Sequence, residues 1–190
     1  MYIDRILYPV TSLGPGNRLC IWVSGCEARC KGCANPELWK QLPEQQITVD
    51  KLAGIIKKQL NGKQIDGITI SGGEPFNQAD EIVNLLEQLN IMGDVLIFSG
   101  YLIDEIKKDA NKNRLLEKID VLVDGKYIEE LNDGKSGLRG STNQQIHIIN
   151  QNVEDKYLAY IKEGRKIQNF VYDYKTISVG IHKNNHNNSE

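Results

Sequence analysis

Three of the four cysteines in this 190-residue chain fall within eight residues, Cys26-Glu27-Ala28-Arg29-Cys30-Lys31-Gly32-Cys33. The spacing C-x3-C-x2-C puts three thiolates on one tight loop, where they can hold three corners of a cubane iron–sulfur cluster. A four-iron cluster takes four ligands, so this set leaves one iron open to a group from outside the protein. A structural zinc site closes with four protein ligands, and candidates for the fourth are poor. Cys20 precedes the loop on an apolar run, and no histidine occurs before His147. The spacing alone admits both an open iron–sulfur site and a zinc site. A second suggestive segment is Ser71-Gly72-Gly73-Glu74-Pro75. Its glycines let backbone approach a ligand closely, and Glu74 can accept a charge-assisted hydrogen bond from an ammonium. Standing alone, such a turn is an ordinary tight connection.

The elements around these segments alternate. Leu19-Cys20-Ile21-Trp22-Val23 reads as a strand after the turn signal Gly14-Pro15-Gly16. A helix opens near Thr48, a suitable N-cap, with Val49, Leu52, Ala53, Ile56 and Leu60 on one face, and ends at Asn61-Gly62. The strand Ile68–Ile70 leads into Ser71. A helix over Gln78–Leu89, the strand Val95–Phe98, a helical stretch Leu102–Leu116 and the strand Val121–Val123 follow. Short apolar strands alternating with helices specify βαβ units and a mainly parallel sheet. In such sheets ligands bind beyond the carboxyl ends of the strands, so the cysteine loop, Gly72–Glu74, Ser99-Gly100 and Asp124-Gly125 should converge on one edge. A closed eight-unit barrel needs about 250 residues, whereas about five strands fit before residue 150. The expected fold is α/β, a partial (β/α) barrel open at the side. Residues 1–150 form the main domain and 151–190 an extension, with a short helix over Lys156–Gly164, strands Ile167–Tyr172 and Thr176–Ile181, and a polar, disordered tail from about His182.

The 23 basic and 25 acidic residues give a net charge of -2, which removes the electrostatic case for a dedicated nucleic-acid or membrane-surface binder. Met1-Tyr2-Ile3-Asp4-Arg5 has neither signal- nor transit-peptide character, and no apolar run reaches membrane-spanning length. The expected location is the cytoplasm, where thiols stay reduced. With three cysteines on one cluster, Cys20 alone cannot hold a second.

The cysteine spacing taken together with Ser71–Pro75 resembles the radical S-adenosylmethionine superfamily. Further segments occur in order: Gly14-Pro15-Gly16-Asn17-Arg18, Trp22-Val23-Ser24-Gly25-Cys26, Cys33-Ala34-Asn35-Pro36, Ser99-Gly100-Tyr101, Val121–Lys126 and Leu138-Arg139-Gly140-Ser141-Thr142-Asn143-Gln144. Over residues 1 to about 150 they are similar to the family of glycyl-radical activases that serve anaerobic ribonucleoside-triphosphate reductase. Gly32 stands where many superfamily members carry an aromatic residue, which resembles this subgroup.

The resemblance implies the radical S-adenosylmethionine type of open barrel. It also implies a 4Fe-4S cluster on Cys26, Cys30 and Cys33, with S-adenosyl-L-methionine at its open iron. Gly32, Cys33 and Ala34 would line the adenine side of that cofactor, Gly72, Gly73 and Glu74 its methionine side, and Ser99 would reach its ribose. Asp124 and Lys126 resemble an Asp-x-Lys placed near cofactor and substrate, although Asp124-Gly125 also reads as a turn. The implied partners are the reductase large subunit or another glycyl-radical enzyme, and an external electron donor such as flavodoxin or ferredoxin. Competing readings are a radical S-adenosylmethionine enzyme acting on a peptide or small molecule, and a metal-holding interaction module without catalysis; the Ser71–Pro75 loop argues against the second. Arg139 reads equally as a partner contact or a solvated side chain. Cys20 reads as a buried small residue, and Trp22 and Trp39 as core or near-core aromatics. His147 reads as the outward position of an alternating strand, and His182 and His186 as tail residues rather than metal ligands.

Overall fold

The computed structural model describes residues 1–90, 92–172 and 175–182. Six strands form one sheet in sequence order: β1 (Ile3–Val10), β2 (Arg18–Val23), β3 (Gly67–Gly72), β4 (Asp94–Phe98), β5 (Val121–Asp124) and β6 (Gln145–Ile148). The pairings β2–β3, β3–β4 and β4–β5 are parallel, while β1 and β6 flank them antiparallel. The sheet is therefore mainly parallel, and it does not close on itself. Strands β3, β4 and β5 begin 27 residues apart, the spacing of one strand-plus-helix unit.

The antiparallel β1 has no counterpart among the sequence expectations. Its residues mix charge, proline and apolar side chains in a half-buried pattern, as an edge strand does, so no clean alternation marks it. Because β1 runs against β2, its start lies at the same edge as the end of β2, with Arg5 opposite Trp22.

Four helices cover one face. Helix α1 (Val49–Leu60) starts where Thr48 Oγ1 accepts the Lys51 N–H and stops at Asn61 in left-handed conformation. It buries Leu52, Ala53, Ile56 and Leu60, the expected stripe apart from the half-buried Val49. Helix α2 is Ala79–Leu89. The single helical stretch expected over Leu102–Leu116 is instead two helices, α3 (Ile103–Lys108) and α4 (Ala110–Leu116). Asp109 is extended between them, and its carboxylate accepts the N–H groups of Asn111 and Lys112. A good N-cap in mid-run competes with helix continuation. The helices pack on Leu19, Ile21, Ile68, Ile70, Ile97 and Leu122, which is one side of the pleat.

The other side of the sheet carries Cys20, Trp22, Leu96, Val121 and Val123. It is covered by the loop at Leu138, by helix α5 (Glu154–Lys162) and by the hairpin β7 (Ile167–Tyr172) and β8 (Lys175–Gly180). The hairpin strands pair with each other and add nothing to the main sheet. The tail expected to be disordered lies outside the described residues apart from His182, as does His186.

Candidate iron–sulfur and cofactor site

The cysteine loop leaves the carboxyl end of β2 and is tied at its base. Gly25 N–H donates to the Leu38 carbonyl (2.8 Å) and Cys26 N–H to that of Trp39 (3.0 Å). Across the site, Lys31 pairs with Glu129 and Glu130, each at 3.2 Å, which links the loop to the segment after β5. Cys26, Cys30 and Cys33 are free thiols, half-buried, and all three line one cavity of about 230 Å3. Burial pushes the Cys26 thiol pKa up, while the N–H groups of Ala28 and Arg29 favour its thiolate. Cys20 points to the face of the sheet away from α1–α4, packed beneath the cavity among Leu7, Val10 and Trp22 without lining it, and burial pushes its thiol up to about 12.

Among the described residues, no three Cys, His, Asp or Glu side chains gather about a single-ion position. The donor set, three half-exposed thiols from one loop with open cavity before them, fits a cluster with one free corner.

The second half of the site comes from β3. Gly73 N–H donates to the Val23 carbonyl and Glu74 N–H to that of Gly25, at 2.7 and 2.8 Å. A Cβ on Gly72, whose φ is +111°, would overlap the Val23 backbone, and one on Gly73 would overlap Gly25. Here the glycines serve first to let this turn lie against the root of the cysteine loop, so the two halves of the site form one backbone unit.

Glu74 is buried, yet three donors surround its carboxylate. Oε1 accepts from Phe76 N–H (3.1 Å) and Ser99 Oγ (2.9 Å), and Oε2 from Gly100 N–H (2.7 Å). Burial pushes the carboxyl up to about 7 against those hydrogen bonds. Glu74 therefore couples the ends of β3 and β4, and Ser99 supports Glu74 directly. Both also line the cavity.

Gly32, Cys33, Ala34, Gly72, Gly73, Glu74 and Ser99 thus converge on one space. Asp124 and Lys126 are not among its lining residues. Asp124 is buried on the helix-facing side of β5, where Oδ2 accepts the Ile103 N–H (2.8 Å) at the start of α3 and Oδ1 the Gln145 N–H (3.3 Å). His147 Nε2 is 3.0 Å from Oδ2, close but not aligned as a hydrogen bond. Lys126 is exposed, with its chain beside Gly100 near the rim. The cavity is lined there by Gly125 and Tyr127 instead, and by Gln144, whose Nε2 donates to the Gly125 carbonyl (2.8 Å). Arg139 folds onto the Gln144 carbonyl (3.2 Å) and does not line the cavity.

Arg5, Trp39 and the stretch Ser178–His182 also line it. Sequence reasoning missed them as site residues: Arg5 arrives through the antiparallel β1 and Ser178–His182 through the hairpin, and neither carries a motif. No helix among the described residues is long and apolar enough to cross a membrane.

Fold and cavity together define a protein built to carry one iron–sulfur cluster, and residues 12–147 match the family model described as a 4Fe-4S single cluster domain. The chain belongs to the family of anaerobic ribonucleoside-triphosphate reductase-activating proteins. It is 35% identical over 148 residues to the members so named from Escherichia coli K12 and Salmonella typhimurium, covering 74% of this chain and 94% of each relative. The protein of that name from phage T4 is 33% identical over 152 residues, 77% of this chain and 93% of the relative.

Proposed function

We propose that this chain is a radical S-adenosylmethionine activating enzyme that installs a glycyl radical on anaerobic ribonucleoside-triphosphate reductase. One observation carries the reading: three half-exposed thiols of a single loop and the Gly72–Glu74 turn line the same cavity, zipped together through Val23 and Gly25. Cys26, Cys30 and Cys33 would hold a 4Fe-4S cluster with one open iron. S-adenosyl-L-methionine would lie between Gly32 and Ala34 on the adenine side and Gly72, Gly73 and Glu74 on the methionine side. Cluster and cofactor, when bound, would supply the one-electron chemistry needed to remove a hydrogen atom from a glycine of the partner.

The chain's own residues bind and orient. Glu74, ionised, offers its carboxylate to the cofactor's ammonium, and Ser99 Oγ holds that carboxylate in place. Gly100 N–H does the same from the next strand. Asp124 acts as a positioning residue, fixing the start of α3 behind the Ser99–Tyr101 turn, and Lys126 stands at the rim where a substrate enters. We read the open sheet with its covered second face as a partial, laterally open barrel of the radical S-adenosylmethionine type, with residues 1–150 as the activase domain and 151–190 as the extension. Cys20 is buried and alone, so the electron comes from a separate donor of the flavodoxin or ferredoxin kind.

Anaerobic reconstitution should yield about four iron per chain, and reduction with S-adenosylmethionine should release 5′-deoxyadenosine. Mixing with the reductase should give a glycyl-radical signal in electron paramagnetic resonance. Cofactor cleavage without that signal would move the assignment to another glycyl-radical protein, a peptide or a small molecule. Zinc in place of iron would end the reading.

A further inference from the structure

The family match stops at residue 147, yet the chain beyond it returns to the site. Helix α5 is bolted to the sheet by Tyr157 Oη, which donates to Asp94 Oδ1, and by Lys156 Nζ, 2.5 Å from Asp94 Oδ2. The hairpin is pinned to the end of β1 and the residues that follow it: Gln168 Oε1 accepts the Thr11 N–H (2.8 Å), Gln168 Nε2 donates to the Pro9 carbonyl (3.0 Å), and Ser12 Oγ donates to the Val179 carbonyl (2.8 Å). Arg165 donates to the carbonyls of Ser136, Gly140 and His182, and Asn132 donates to that of His182 as well. These bonds hold Ser178–His182 through main-chain atoms, so the segment's position does not depend on a bound ligand.

Ser178, Val179, Gly180, Ile181 and His182 line the cavity that the three thiols face. Ser178 is exposed and His182 half-buried at the rim, while the half-buried Ile181 also packs against the core cluster of Leu13, Trp22 and Val179. An addition to a family scaffold that is rigidly held at the mouth of its site acts on what enters, because selectivity resides in such added segments more than in the scaffold.

We propose that Ser178–His182 forms a selectivity wall for the partner protein, contacting the extended glycine-bearing loop that enters the cavity. The inference rests on the functional reading above and names a surface that the family match does not contain.

The test places a photo-crosslinking side chain at Ser178 of the full-length chain carrying its cluster, and a control at the exposed Lys58 on α1. Illumination with the reductase should join position 178, and not position 58, to the reductase segment that carries the radical glycine. Independently, Ser178→Trp should raise the KM for the reductase roughly tenfold or more, a larger factor than its effect on 5′-deoxyadenosine release without reductase. An unshifted KM with no cross-link from position 178 would overturn the wall. If the unaltered chain released no 5′-deoxyadenosine at all, the underlying functional reading would fall instead, and the two failures are told apart by that one assay.

Discussion

The two ends of strands β2, β3 and β4 are built on opposite terms. At their amino ends Arg18, fully buried, donates to Thr69 Oγ1, to the carbonyls of Pro15 and Ile68, and to Asp94 Oδ1 at 2.8 Å. Burial alone would raise the Asp94 carboxyl, but Arg18 and Lys156 hold it below the usual carboxylate range. Tyr157 completes that cluster. At their carboxyl ends three thiols stand half-exposed, and Glu74 sits buried with no cation bonded to it and its pKa raised. A buried charge with all its partners in place specifies a fold but has no capacity left for a ligand. The carboxyl edge keeps such capacity and is less comfortable for it.

The largest expected effect tests the functional edge. Replacing Cys26, Cys30 or Cys33 singly by Ala should abolish iron incorporation and 5′-deoxyadenosine release, while Cys20→Ala should preserve both. Iron analysis and product chromatography read the difference, and equal loss in all four variants would erase the distinction between the cavity thiols and the core thiol.

The next breaks the opposite edge. Asp94→Ala strands Arg18 in the core and should cost about 3–5 kcal/mol of stability, read by urea unfolding of the apoprotein. A loss below about 1 kcal/mol would mean that the buried network is not what secures this end.

Glu74 gives an effect of opposite sign to an ordinary paired carboxylate. Its folded pKa, about 7, lies above its normal value of 4.5, so the folded state binds the extra proton. The stabilisation is full below about pH 4.5 and is lost as pH rises through 7, by up to about 3 kcal/mol. Glu74→Gln should flatten that part of the apoprotein's stability–pH curve, and an unchanged slope would assign the dependence elsewhere. The smallest effect belongs to Lys31, whose own side chain is open to water although one of its two partners, Glu129, is largely buried. Lys31→Ala should leave the melting temperature unchanged, since exposed pairs contribute little. A clear drop would make the cysteine loop's outer tie as structural as the Arg18 network.

Much of this contrast could be read along the chain. Three cysteines in eight residues and a Gly-Gly-Glu turn announce a site because few other demands produce such residues together. The central strands and α1 announced themselves through apolar periodicity and the Thr48 cap. Pairing of β1 was hidden because an edge strand buries only part of each side chain. The break at Asp109 was hidden because capping in mid-run shows only once the backbone turns. Asp124 follows Val121-Leu122-Val123, and its place after a strand made it look like a site residue. In the pleat Leu122 and Asp124 share the helix-facing side, so the carboxylate caps α3 while Gly125 and Tyr127 line the cavity.

Residue order by itself determined the chemistry on offer and the parallel βαβ plan, because both depend on neighbours within a few positions. Which side chains face that chemistry was decided only in three dimensions. Arg5 comes from an antiparallel edge, Gln144 from the turn before β6, and Ser178–His182 from a hairpin folded back across the sheet. Those placements follow from contacts between residues far apart in the chain, and local periodicity carries no record of them.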